Sequence, residues 1–139
     1  MTPYVFRTDD RHDRCESAEL VLRIYNEDNI LPHVTLAEFL SKLGARYHWA
    51  VARDSIVVGA KFYTIENGKG SFVDIAVHPD YRRQGIAKEM TDIAIRQMRS
   101  HGVKAVLANG VLNAHWEKYL RGIGFEGGGP GFETFRLDL

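Results

Sequence analysis

The chain of 139 residues holds one cysteine, Cys15. No intrachain disulfide and no cysteine metal cluster can form, which fits a reducing compartment. An excess of charge of either sign is also missing, because 18 basic residues face 18 acidic ones. A general nucleic-acid binder shows a clear basic excess, so neutrality argues against that class. Apolar runs are short, and none approaches the roughly 20 residues of a membrane span. The first residues lack the basic and apolar regions of a signal peptide, so the expected location is cytoplasmic. The histidines lack metal spacing such as H-E-x-x-H, and no metal is expected. Linkers, repeats and low-complexity segments are absent, so residues 1–139 are read as a single domain.

What is present is ordinary for a globular domain: 45% hydrophobic and 26% charged residues. The charge is unevenly placed. Residues 1–40 carry four arginines against eight acids, a net of −4. Residues 82–104 carry six basic residues against Glu89 and Asp92, a net of +4. One part is thereby suited to a cation and the other to an anion, against the plainer reading of scattered surface charge.

Residues 4–8 read as a first strand. In residues 15–27, Ala18, Leu22 and Tyr25 recur about a helical turn apart, which predicts a helix. A second helix is expected over 32–44, with Thr35 as N-cap, Glu38 completing a capping box and Gly44 as the stop. "YHWAVAR" at 47–53 alternates Tyr47, Trp49 and Val51 on one face of a strand. Strands follow over 55–65 and 71–78, joined by the Asn67–Gly68 hairpin turn, with Pro79 ending the second. Ile86, Met90, Ile93, Ala94 and Met98 give a helix closed by Gly102. Residues 103–109 read as a buried strand, 113–122 as a helix stopped by Gly122, and "GFE" with "FETFRLDL" as a final hairpin. The order is β-α-α-β-β-β-α-β-α-β-β. This is an α/β class with a mixed sheet (α+β in the broader sense).

The stretch "YRRQGIAKEM" at 81–90 puts two arginines and a glycine where a strand ends and a helix begins. Positive charge is unfavourable at that end of a helix. Free backbone N–H groups there, together with the dipole, make an anion site, and a phosphate would neutralise the arginines. Gly85 removes a side chain so that an anion can approach the backbone. Neither Gly-Lys-Ser/Thr nor G-x-G-x-x-G is present, which excludes two common phosphate loops.

The spacing Arg82-x-x-Gly85-x-Ala87 resembles the pyrophosphate loop of the GNAT family of acyl-CoA-dependent N-acyltransferases. Within "IAVHPDYRRQGIA" the strand–turn–helix block is similar almost throughout. "NAHWEKYLRGIGF" at 113–125 resembles the family's later block, which begins with Asn and ends in Gly-Phe. Over the first 45 residues only the element order is similar. The resemblance implies acetyl-CoA, or another acyl-CoA, as co-substrate, and an amine on a small molecule or peptide as acceptor. Ile75 and Val77, with Ala76 between them, would hold the pantetheine arm through their backbone, as an added strand does. Arg82, Arg83, Gln84, Gly85, Ile86, Ala87 and Lys88 would cradle the pyrophosphate. Asn113 stands where the family often places a side chain against the arm. The Val77 N–H would face the thioester oxyanion. The family often pairs through its sheets, so the resemblance allows a homodimer, and it implies neither nucleic acid nor membrane as a partner.

Direct acyl transfer needs a deprotonated amine, donors to the oxyanion, and a thiolate that can leave. The family's usual tyrosine acid falls on Leu120, with Tyr119 one place earlier. Its common glutamate falls on Ala108. Tyr119 is then either the general acid or a core residue. Asp74, the only acid on its strand, is either a general base or amine anchor, or a structural carboxylate. His78 and His115 are candidate acid–base groups by residue type, but each is more often a surface histidine. Trp49, Phe62, Tyr63 and Trp116 read as core. Cys15 carries no sign of a covalent role, which favours direct attack in a ternary complex. The alternative is an acyl-CoA-binding regulatory or interaction module without catalysis, favoured by Leu120 and Ala108.

Overall fold

In the sequence "YHWAVAR" the residues Trp49 to Ala52 are apolar or small in both alternating sets, and the structure shows why. Strand β2 (Tyr47–Arg53) is buried on both faces. Tyr47, Trp49 and Val51 pack into one apolar cluster, and Ala50 and Ala52 into a second. The computed structural model describes residues 4–27, 34–44, 46–108, 114–127 and 135–139, and no side chain among residues 114–116.

The order of elements is the one the sequence predicts. β1 (Val5–Thr8), α1 (Arg11–Glu27) and α2 (Leu36–Leu43) precede β2. β3 (Val57–Glu66) and β4 (Lys69–Val77) follow, then a short 3₁₀ turn at Pro79–Tyr81. α3 (Ile86–Ser100), β5 (Ala105–Ala108), α4 (Ala114–Gly122), β6 (Glu126–Gly127) and β7 (Phe135–Asp138) complete the chain. One mixed sheet of seven strands runs β1-β2-β3-β4-β5-β7-β6. Its neighbours pair antiparallel except β4 and β5, which are parallel and joined through α3.

Local chemistry sets most boundaries. Glu38 N–H donates to Thr35 Oγ1 at 3.2 Å, and Gly44 closes α2 at φ 63°, so the expected caps form. Asn67 and Gly68 both have positive φ, as a tight hairpin turn requires. Helix α1 begins at Arg11, four residues before the expected start at Cys15. Asp10 Oδ1 accepts from His12 N–H at 2.9 Å, and buried Asp13 pairs with Arg7 and Arg53, so polar contacts start that helix. β5 starts at Ala105 rather than Val103, because Val103 N–H still bonds the end of α3 through Met98 O.

Five of the eight acids in residues 1–40 are engaged within the fold, while Glu19 and Glu27 are exposed. Asp9 accepts from Trp49 N–H and contacts His48, while Asp10 and Asp13 face Arg7. Glu16 faces Arg53, and Glu38 caps α2.

Two sheet irregularities position the site. β4 pairs with β5 only from Lys69↔Ala105 to Phe72↔Ala108, with no later pair among the described residues. On its other side β4 pairs with β3, where Phe62 faces Asp74 but Tyr63 faces Phe72. Val73 is therefore an extra, bulged residue. Without it, Asp74 and Phe72 would share a face. With it, Phe72 joins the cluster under α3 while Asp74 pairs with Phe62 in the cluster under α1.

Candidate functional site

Beyond Phe72, β4 has no strand partner on its β5 side among the described residues. His78 N–H donates to Val58 O at 2.8 Å, so the backbone groups of Ile75 and Val77 point the opposite way, out of the sheet edge. Side chains meet them there. Ile75 N–H donates to Tyr25 Oη at 3.4 Å, and Arg82 Nε donates to Val77 O at 3.1 Å. Ala76 between them is buried and bonded on the β3 side.

This edge leads directly into the loop 78–85. Pro79 starts its 3₁₀ turn, His78 Nδ1 accepts from Asp80 N–H at 3.1 Å, and Tyr81 donates to Asp54 Oδ2 at 2.9 Å. The Tyr81–Asp54 bond ties the loop to the β2–β3 turn. His78 thus serves the turn. Arg83 and Gly85 adopt left-handed backbone, at φ 64° and 80°. Gly85 is the N-cap of α3 and offers no side-chain oxygen to its first N–H groups. A Cβ at Gly85 would meet nothing within 4 Å, so the space above the helix start is open. Arg82, Arg83 and Gln84 are exposed around it. Ile86 is buried as the first apolar anchor, and Ala87 and Lys88 complete the turn. Free N–H groups, dipole and guanidinium charge converge here, which suits a diphosphate.

At the other end of this edge lies Asp74. Burial pushes its carboxyl above the usual carboxylate range, opposed by a Tyr25 hydrogen bond and by the charges of Lys42 and Lys61. Burial and the Asp74 charge raise the Tyr25 phenol in turn. Ile75 N–H, Tyr25 and Asp74 form one chain of hydrogen bonds. Lys61, the β3 partner of Ile75, is 1% exposed, with its Nζ 3.7 Å from the Phe72 ring centroid. Burial lowers its pKa to about 7, opposed by Asp74.

Tyr119 lies on α4 with its hydroxyl 3.4 Å from Lys88 O, beside the first turn of α3. Burial and then the charge of Asp92 push its phenol up to about 12. Leu120, one residue on, is fully buried in the core under α3, and Ala108 is 2% exposed. The structure thus brings Asp74, Ile75, Ala76, Val77 and the loop along one edge, with Tyr119 against the loop's helix. Asn113, His33 and the 128–130 loop lie outside the described residues, as do the side chains of His115 and Trp116. Trp49, Phe62 and Tyr63 are core, as expected. His48 and His101 stand together at the far end of α3.

Tyr25 and Lys61 escaped the sequence reading. Tyr25 carries no local signal, because its partner is 50 residues away. Lys61 did carry one: a lysine inside "VVGAKFY", whose neighbours are all apolar or glycine. A cation there has to be satisfied in the interior.

A mixed sheet whose parallel neighbours β4 and β5 pair over four residues, with an arginine-rich, glycine-capped helix start beyond them, is the arrangement set against known proteins. The match that carries identity covers most of the chain: residues 12–125 fit the acetyltransferase (GNAT) family, and the chain belongs to that family. No curated protein matches it. Solved structures share its fold at low identity. PaiA N-acetyltransferase from Thermoplasma acidophilum, solved with coenzyme A, superposes with a TM-score of 0.76 at 15% identity, covering 100% of both chains. A GNAT family acetyltransferase from Brucella melitensis, solved with acetyl-CoA, gives 0.73 at 18% identity, covering 98% of this chain and 88% of that one. The ribosomal-protein-S18-alanine N-acetyltransferase of Escherichia coli gives 0.77 at 17% identity, covering 97% and 93%. No helix among the described residues is long and apolar enough to cross a membrane.

Proposed function

We propose that this protein is an acetyl-CoA-dependent N-acetyltransferase that passes an acyl group to a primary amine by direct attack in a ternary complex. The observation that carries the reading is the continuous path from the Gly85 cradle, along the edge of Ile75 and Val77, to Asp74 at the fork. The loop backbone from Arg83 to Lys88 holds the pyrophosphate, with Arg82, Arg83 and Lys88 adding charge. Ile75 and Val77 bond the pantetheine arm once Tyr25 and Arg82 yield those positions. Their N–H groups, Val77 as expected and Ile75 nearer the fork, are the donors available to an oxyanion. Asn113 follows β5 in sequence and is proposed to steady the arm.

Asp74 is proposed as the base that takes a proton from the acceptor ammonium. It faces the α1 side of the sheet, and the acceptor approaches from there. Its raised pKa makes it a stronger base than an exposed carboxylate. Tyr119 is proposed as the proton donor to the thiolate, because its raised pKa keeps it protonated at neutral pH. Tyr119→Phe should lower kcat by about tenfold or more and leave acetyl-CoA affinity unchanged. An unaltered kcat assigns Tyr119 to packing alone. The acceptor is proposed to be an amine of a small molecule or a peptide in the cytoplasm, with a homodimer as the expected assembly.

Calorimetric titration with acetyl-CoA, followed by free-thiol release against a panel of amines, tests the whole reading. A second reading, an acyl-CoA-binding regulatory or interaction module, is favoured by the full burial of Leu120 and Ala108 at the two usual acid and base positions. It predicts acetyl-CoA binding with no thiol release on any amine.

A further inference from the structure

Lys61 is a cation inside an apolar sheet face, and its position along the fork matters. In the acyltransferase reading an arm running from the Gly85 cradle past Val77 and Ile75 heads toward Phe72, the last residue of β4 paired to β5 among the described residues. Lys61 pairs with Ile75 and carries its ammonium over the Phe72 ring, so it stands at the base of that fork. Phe72 packs in turn on Phe125, which backs the ring from the far side of β5. Asp74, whose side chain belongs to the opposite face, is one charged group that acts on Lys61. The acceptor side of the sheet thus holds a carboxylate, and the arm's reactive end meets a cation.

Resting on the acyltransferase reading, we propose that Lys61 is a catalytic residue whose ammonium stabilises the negative charge on the sulfur that leaves during acyl transfer. The acceptor nitrogen, having given one proton to Asp74, bonds to the carbonyl carbon. The C–S bond breaks and its electron pair stays on sulfur, beside the Lys61 ammonium. The nitrogen loses its second proton to water, and the sulfur takes one from Tyr119 or water. Amide and thiol result, with no further reactant. Burial strengthens such a charge contact because little water competes for it, and a cation held over a ring is already oriented. An incoming negative charge favours the ammonium form of a buried lysine.

Two unreactive analogues test this by binding to the full chain, independently of turnover. In CoA sulfonic acid the sulfur carries a fixed negative charge, and in desulfo-CoA it is replaced by hydrogen. Titration calorimetry at mildly acidic pH should show wild type preferring the sulfonate by about tenfold or more. Lys61→Met should abolish that preference while leaving desulfo-CoA affinity unchanged, and Lys61→Arg should keep part of it. Equal binding of the two analogues by wild type overturns the proposal without any variant, so a failure of Lys61→Met to fold does not protect it. A preference that survives in Lys61→Met overturns it as well. If wild type binds neither analogue, the acyl-CoA reading itself fails and this proposal falls with it.

Discussion

Gly85→Glu should abolish acetyl-CoA binding while leaving a folded protein. Two effects of the change have to be separated. The first is backbone strain: Gly85 sits at φ 80°, and a residue with a Cβ loses about 1–2 kcal/mol there. That is a loss of a few degrees in Tm for a domain of this size. A Cβ meets no atom within 4 Å, so no steric clash is added. The second effect falls on the ligand. A carboxylate at the N-cap takes the N–H groups of the first turn for itself and repels the diphosphate. Losing two charge-assisted hydrogen bonds of about 1.5–3 kcal/mol each weakens binding by a hundredfold or more. Gly85→Ala is the control, because it has the strain without the charge. It should show the same fall in Tm and bind acetyl-CoA within about tenfold of wild type. Calorimetry on all three proteins decides the matter, and a Gly85→Glu protein that binds normally removes the cradle from the argument.

Asp74→Asn should lower kcat by about 10²–10³-fold with acetyl-CoA affinity nearly unchanged, since a general base typically contributes that much. Asparagine keeps an acceptor for the Tyr25 hydroxyl and cannot take a proton. The pH dependence has a definite sign. Burial raises the Asp74 pKa, and the carboxylate is the active form. Wild-type activity therefore rises with pH through that raised value, and the variant's residual activity lacks the step. Stability runs the opposite way. A group whose folded pKa lies above its unfolded value contributes stability at low pH and loses it as pH rises through the folded pKa. Asp74→Asn should thus match wild type in Tm under acid conditions and equal or exceed it near neutrality. A lower kcat with an intact or raised Tm cannot be explained by unfolding. If kcat stays within a few-fold of wild type, Asp74 is a structural carboxylate and the base lies elsewhere.

The sequence by itself determined the order of all eleven strands and helices. Each was marked by a local cause: a period of apolar residues, a Thr35–Glu38 cap, an Asn-Gly turn, a proline after a strand. It also marked the loop at Gly85 as a candidate anion site, because positive charge at a helix start is unfavourable unless an anion neutralises it. Tertiary structure alone decided which face each β4 residue serves. The Val73 bulge moves Asp74 to the α1 side, and no spacing in "SFVDIAV" announces a bulge, since it arises from pairing with β3. The same holds for the partners of Asp74. Tyr25 comes from α1 and Lys61 from β3, brought in by packing rather than by neighbourhood in the chain. Charge shows the limit from the other direction. The acidic count of residues 1–40 suited that part to a cation, and in the fold Asp9, Asp10, Asp13 and Glu16 engage Arg7, His48, Trp49 and Arg53 while Glu19 and Glu27 stay exposed. Composition counts charges, but only the folded chain decides which of them still face solvent.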